Sequence, residues 1–187
     1  ITIEDNAELQ IRHIPNLVRL EARNANVEGC VPISIRDLIR TSLRMRPDRI
    51  IVGEVRGGEA VDMIQAMNTG HDGSMSTGHA NSAKDMMSRL EIMILQGAEL
   101  PIAAIRAQIA SALDIVVHLG RLRDKSRKVL EIAEVLGIQE GEIAMRTIFR
   151  FEERGECNGK ITGVWVRENE LEKKDKLALA GIRLPDG

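Results

Sequence analysis

Aromatic side chains are nearly missing from this chain, which has two phenylalanines, one tryptophan and no tyrosine in 187 residues. Bases would find no stacking platform here, and a formal net charge of −2 offers no cationic surface to a phosphate backbone. Both features argue against nucleic acid as a ligand. Cysteine is equally sparse. Cys30 and Cys157 stand alone and form no C-x-x-C, which excludes a disulfide framework and suits a reducing compartment, the cytoplasm by default. Long apolar runs are also lacking. None approaches the roughly 20 residues of a bilayer-spanning helix, and no charged leader precedes an apolar stretch, so the expectation is no direct membrane insertion.

The last absence is a motif. No G-x-x-x-x-G-K-[ST] loop occurs; the one Gly-Lys pair, Gly159-Lys160, is followed by Ile161 and has Arg154 where the first glycine would stand. Yet "DRIIVGEVRG", residues 49–58, is a short apolar strand that ends on Gly53 and Glu54, with Arg56 close behind. A strand of this form faces a phosphate-bound magnesium. The chain thus carries half of a nucleotide site without the loop that would hold the phosphates. It also opens on Ile1 within a strand-like run, with no methionine or cap before it, and so reads as a fragment.

What is present is ordinary globular composition, 43% hydrophobic and 29% charged, in a length that supports one domain with appendages. "ITIE" and "LVRLEA" are short β-branched or apolar runs that predict strands. The period then changes. "SIRDLIRTSLRMR" opens with Ser34 three residues before Asp37 and aligns Ile35, Leu38, Ile39 and Leu43 on one face, predicting a boxed helix that Pro47 ends. Ile50 to Gly53 predict a strand, "GEAVDMIQAMNTG" a helix closing at Gly70, and "GSMSTGHA" another short strand and loop. Ser82 with Asp85 opens a helix that stops at Gly97, and Pro101 starts the next. "DIVVHLG" then predicts a buried strand from its unbroken apolar run. Alternating strands and helices imply a mainly parallel sheet with helices on both faces. From about residue 126 the texture differs: "RKVLEIAEVLGIQ", "EIAMRTIFRFEE" and "KITGVWV" predict antiparallel strands, and "ENELEKKDKLALAG" predicts a terminal helix ending at Gly181. The expected division is 1–125 for the α/β core and 126–187 for a β-rich extension.

Several residues in this frame can carry chemistry. Glu4 and Asp5 leave the first strand where open α/β sheets place their ligands, and Glu54 repeats that geometry; the plain alternative is a solvated pair of loop acids. Converging carboxylates at such ends can hold a metal-bound water and take a proton from an attacking one. His79 follows another strand among small residues and precedes a capped helix, which suits contact with a phosphate; local capping or packing is the competing reading. His71 lies just past a helix C-terminus, where an imidazolium is favourable for stability alone. His13 and His118 have no supporting neighbours. Arg19, Arg23, Arg36, Arg40, Arg44 and Arg46 are mostly solvated surface, with some able to bridge phosphate oxygens on a neighbouring subunit, while Arg56 can pair with an acid in its own site.

With these elements in order, the chain resembles the secretion ATPases of the type II and type IV secretion superfamily, most closely the branch that powers tight-adherence pilus assembly. "ITIEDNAEL" is similar to that family's Asp box, "RMRPDRIIVGEVRGGEA" to its Walker B region and "GHDGSMSTGHANSA" to its His box; the likeness fades after about Gly163. It implies a RecA-like P-loop NTPase core in a homo-hexamer that hydrolyses ATP with Mg2+ between subunits. The motor would drive a pilus or secretion platform from the cytoplasmic side of the inner membrane. The same likeness implies roles. Glu4 would position or deprotonate the attacking water, Glu54 would act on the magnesium shell, and His79 would sense the γ-phosphate. Asp5, Gly53, Arg56 and His71 would border the nucleotide, and Arg19 or Arg23 would reach phosphate. Because the family's P-loop precedes the Asp box, the isolated fragment is expected to be inactive. Two other classes stay open: a metal-dependent hydrolase using His71, Asp72 and His79 with Glu54, and a non-catalytic RecA-like ring component.

Overall fold

The computed structural model describes residues 1–23 and 31–183, so Cys30 lies outside the described residues. The chain divides into two compact units, Ile1–Asn81 with Asp85–Ala112, and Leu113–Gly187 with Ser82–Lys84.

The first unit is α/β. Strands β1 (Thr2–Glu4), β2 (Arg19–Glu21), β3 (Ile51–Val52) and β4 (Met75–Ser76) form a four-stranded sheet in the order β2-β1-β3-β4. Every pairing is parallel, with Ile3 opposite both Leu20 and Val52, and Ile51 opposite Met75. All three residues of β1 are buried, as a central parallel strand requires, and one of them is the carboxylate Glu4. Helices α1 (Ile35–Leu43), α2 (Ala60–Met67), α3 (Ala83–Gly97) and α4 (Ile102–Ala112) supply the remaining apolar surface. Ile39, Ile64, Ile94, Ile105 and Ile109 are fully buried.

α1 starts where the sequence places it. Ser34 Oγ accepts the Asp37 amide at 3.2 Å while Asp37 Oδ2 accepts the Ser34 amide at 3.0 Å, a reciprocal capping box. Its arginines are not merely solvated: Arg36 and Arg40 reach the buried Asp62 of α2 at 2.6 and 2.8 Å, tying the two helices. A second tie involves no side chain. A Cβ on Gly97 would lie 2.2 Å from the Gly58 carbonyl oxygen, and a Cβ on Gly58 2.9 Å from the Gly97 Cα. The end of α3 therefore meets the start of α2 backbone to backbone, a spacing that only glycine permits.

The second unit is a four-stranded antiparallel sheet in the order β5-β6-β7-β8, built from β5 (Ile115–Arg121), β6 (Arg127–Gln139), β7 (Glu142–Cys157) and β8 (Lys160–Arg167). Here two expectations are corrected. "DIVVHLG" is not a buried strand of the parallel core. It is β5, an edge strand that alternates between more and less exposed residues and pairs antiparallel with β6. The physical cause is the turn after it: Leu122 exchanges backbone bonds with Lys125 and Ser126, folding the chain back before any crossover helix can form. The terminal helix α5 is only Asp175–Leu179, closed by Gly181 at φ +69°. Residues 168–174, rich in helix formers, stay outside it. The amides of Glu172 and Lys173 donate to the buried carboxylate of Glu134 at 2.9 and 2.7 Å, and Glu168 donates to the Ile148 carbonyl, so tertiary bonds override propensity. Cys157 is an exposed free thiol.

Asp124 joins the two hairpin ends of this sheet. It accepts the Ser126 amide and hydroxyl at 2.9 and 2.6 Å, and the Ile161 amide at 2.9 Å. The Ser126 hydroxyl leads in holding the carboxyl down at about 2, against an ordinary 3.8. Among the described residues no single helix is long and apolar enough to cross a membrane; α3 and α4 reach that composition only together, bent by 119°.

Two outcomes follow. The depressed Asp124 contributes stability that is present above its unfolded value of 3.8 and is lost as pH falls through about 2. Thermal unfolding followed across that window should show an acid limb that Asp124→Asn flattens. Gly97→Ala should cost about 1–3 kcal/mol in urea unfolding, since a methyl group has no room against the Gly58 carbonyl; an unchanged midpoint would show that the two backbones can part without loss.

Candidate functional site

Because the four strands of the first sheet run parallel, their C-terminal ends share one edge, and the residues that follow them meet there. At the end of β1, Glu4 is 6% exposed and its Oε1 accepts the amides of Glu8 at 3.0 Å and Leu9 at 2.8 Å. Its second oxygen makes no bond to the described residues. Gly53, at the end of β3, makes room for it: a Cβ there would stand 3.0 Å from the Glu4 Cγ. The glycine expected beside a nucleotide is, in the structure, first of all the neighbour of the acid.

Glu54 is the centre of an ionic cluster. Arg56 donates to its Oε2 from Nε at 2.7 Å and from Nη2 at 2.5 Å, and His79 Nε2 lies 2.9 Å from its Oε1. The Arg56 hydrogen bond, with the fields of Arg56, His79 and Arg89, holds the Glu54 carboxyl below its ordinary 4.5 against the opposing effect of burial. Arg56 in turn is raised, chiefly by that bond to Glu54 and further by the charges of Asp5 and Glu8. Acids from the β1 loop and the β3 end therefore act on one guanidinium.

His79 is brought in by the exit of β4. Thr77 Oγ1 donates to the Gly53 carbonyl at 2.6 Å and the Val55 amide donates to the Thr77 carbonyl at 3.0 Å. Gly78 then passes against Met86 of α3, whose Cε would lie 2.6 Å from a Cβ at that position. The His79 side chain is 84% exposed even as it touches Glu54.

Beside this cluster opens a cleft of about 610 Å³, bordered by Asp5, Arg23, Ser34, Arg36, Arg56 and Gly97 among others. Arg23 donates to the Val31 carbonyl from Nε at 3.0 Å and Nη2 at 2.8 Å, while Arg36 reaches the Gly97 carbonyl at 3.2 Å. The edge thus gathers Glu4, Asp5, Gly53, Glu54, Arg56, His79 and Arg23. Two other expected residues have separate local partners. Arg19 donates to the Ile11 carbonyl at 2.8 Å, and His71 Nδ1 lies 3.2 Å from the Ala66 carbonyl and 3.3 Å from the Thr69 hydroxyl. Among the described residues no three His, Cys, Asp or Glu side chains gather to hold an ion directly, so a site built on His71, Asp72 and His79 is not favoured.

Sequence reasoning passed over two acids here. Asp62 looked like any helix acid, and its pairing with Arg36 and Arg40 depends on how two helices pack, which no local pattern carries. Glu59, between the glycine pair and α2, accepts the Arg56 amide at 2.7 Å and the Gly57 amide at 2.9 Å. An acid directly ahead of a helix and just behind "VRGG" was the available signal for it.

Comparison with known proteins gives the family of the chain. The family model described as type II/IV secretion system protein matches residues 1–166. A Mycobacterium tuberculosis (strain H37Rv) protein named for conjugal transfer is 46% identical over 149 residues, covering 80% of this chain and 42% of that protein. The type IV secretion system protein PtlH of Bordetella pertussis is 39% identical over 137 residues, 71% of this chain and 40% of PtlH. The crystal structure of the VirB11 ATPase from the Brucella suis type IV secretion system, in complex with sulphate, superposes with a TM-score of 0.61 at 37% identity. It covers 70% of this chain and 39% of VirB11. The chain spans less than half the length of each of these relatives. With the family match running over most of its length, this chain belongs to the type II/IV secretion system proteins, a family whose members include secretion ATPases.

Proposed function

We propose that these residues form the water-activating half of an ATPase that powers secretion or pilus assembly, with a RecA-like core working in a homo-hexamer. The observation that carries this reading is the placement of Glu4 and Glu54 at the ends of two adjacent parallel strands, with Arg56 and His79 on the Glu54 carboxylate. The finer placement in the tight-adherence pilus branch rests on the form of the three sequence boxes. The matched residues make up 42% and 40% of these two relatives, and in this reading the loop that cradles phosphates would lie in the part of the full-length protein outside residues 1–187. Residues 1–187 alone would then be inactive. In the full-length protein the motor would work at the cytoplasmic side of the inner membrane, on its secretion or pilus platform.

The residues present suit ATP with Mg2+. Magnesium keeps several waters and takes one or two carboxylates plus substrate phosphates, so a cluster of three protein ligands is not required. Glu54, held ionised by Arg56, would face that water shell, and the bound ion would neutralise charge on the transferred phosphoryl group. Asp5, Arg23 and Arg56 border the cleft in which a polyphosphate would be oriented, and His79, exposed beside Glu54, would donate to a phosphate oxygen. Glu4 has one oxygen committed to the Glu8 and Leu9 amides, which leaves the other to take a proton from water.

Glu4→Gln in the full-length ATPase separates chemistry from architecture. Glutamine still accepts the Glu8 and Leu9 amides, so ATP should remain bound while hydrolysis slows by about 10²- to 10⁴-fold, as expected for a lost general base. Loss of nucleotide binding in an equilibrium titration would make Glu4 a structural residue instead. The ring predicts a second result. If Arg19 or Arg23 completes a neighbour's site, an alanine variant of that arginine and the Glu4→Gln variant, each slow alone, should regain partial activity in mixed rings. Absence of recovery in verified mixed rings would confine both arginines to their own subunit, where each already holds a backbone carbonyl.

A further inference from the structure

The loop between β3 and α2 carries both Glu54 and Arg56, and it is held by an acid at the end of the same stretch to which no role has been given above. Glu59 stands at the N-cap of α2 but makes no side-chain bond to the helix amides. Its carboxylate turns back instead, and a single oxygen, Oε1, accepts the amides of Arg56 at 2.7 Å and Gly57 at 2.9 Å. Two donors on one ionised oxygen at a helix N-terminus form a strong tether. The residue tethered at its backbone is the one whose guanidinium grips Glu54 at 2.7 and 2.5 Å.

The loop is confined on its other side as well. Gly57 faces the Glu59 and Gln96 side chains, and Gly58 abuts Gly97 with no room for a methyl group. The loop has little freedom to find another path, and the Glu59 bonds select the one in which Arg56 faces Glu54. The charged groups facing this pair are His79 and Arg89 on Glu54, and Asp5 and Glu8 on Arg56. None of them bonds the Arg56 backbone.

We propose that Glu59 is a positioning residue for this site: through the amides of Arg56 and Gly57 it orients the guanidinium that holds Glu54 toward the reacting phosphate. The inference rests on the ATPase reading for its catalytic consequence, and on the loop geometry alone for its structural one. It predicts that Glu59 acts through Arg56 and not on nucleotide directly.

The test uses the full-length protein and the variants Glu59→Ala, Glu59→Gln, Arg56→Ala and Glu59→Ala with Arg56→Ala. Glu59→Ala should lower kcat by about 10- to 100-fold, the scale of a displaced catalytic group, with KM for ATP little changed. The double variant should match Arg56→Ala alone. Glu59→Gln keeps an oxygen for both amides and should restore the rate. Hydrogen exchange of the Arg56 and Gly57 amides, read without nucleotide, should speed up in Glu59→Ala and not in Glu59→Gln. Should the alanine variant not fold, Glu59→Asp, one methylene too short to reach both amides, takes its place. A glutamine variant as slow as the alanine variant, or an alanine variant with unchanged rate and unchanged exchange, would overturn the proposal. Faster exchange in a protein that hydrolyses no ATP would instead uphold the tether and remove the ATPase reading.

Discussion

Parallel pairing of four short strands is the constraint on which the site depends. A parallel ladder sends every strand out at the same edge, so the segments that follow β1, β2, β3 and β4 have no choice but to converge. The strands themselves are only two or three residues long, too short to supply much of a core. Burial comes from the isoleucines of the helices, and the strands act chiefly as a register that aligns Glu4 with Gly53 and the β4 exit with the β3 exit. A one-residue slip in that register would turn Glu4 away from the edge and place Ile3 there.

Four carboxylates at and near this edge are each partnered. Glu4 has backbone amides, Glu54 has a guanidinium and an imidazole, Glu59 has two further amides, and Asp62 has two arginines. Removing a carboxylate from water is costly unless it is hydrogen-bonded or paired, so each acid also specifies the local backbone around it. The same groups that the proposed chemistry would use thereby also hold the local chain path. Glycine completes the arrangement at Gly53, Gly58, Gly78 and Gly97, where side chains would collide with Glu4, α3, Met86 and the α2 entry respectively.

The second unit obeys a different rule. Its strands are long and antiparallel, and its connections are short hairpins, so its stability comes from continuous ladders and from ties at the sheet ends such as Asp124. Glu134 is there, like Glu4 in the first unit, a buried acid accepting two amides, but the amides belong to a segment 38 and 39 residues away, whereas those on Glu4 are four and five residues on.

Much of this was legible from sequence because its causes are local. The capping box at Ser34, the strand ending in Gly53 and Glu54, the alternation of strands and helices in the first unit, and the antiparallel runs after residue 126 all follow from short-range periodicity and backbone preference. The acids and histidine of the three boxes were likewise readable as candidates, since their spacing from strand ends is a local property. Tertiary structure alone decided the rest. It assigned β5 to an antiparallel hairpin, shortened α5 against its helix propensity, paired Asp62 with arginines on another helix, and gave Glu59 the backbone of Arg56 to hold. The physical reason is that none of these bonds follows from periodicity: Asp62 and residues 172–173 find partners on distant segments, while β5 and Glu59 depend on the path a local turn takes once folded.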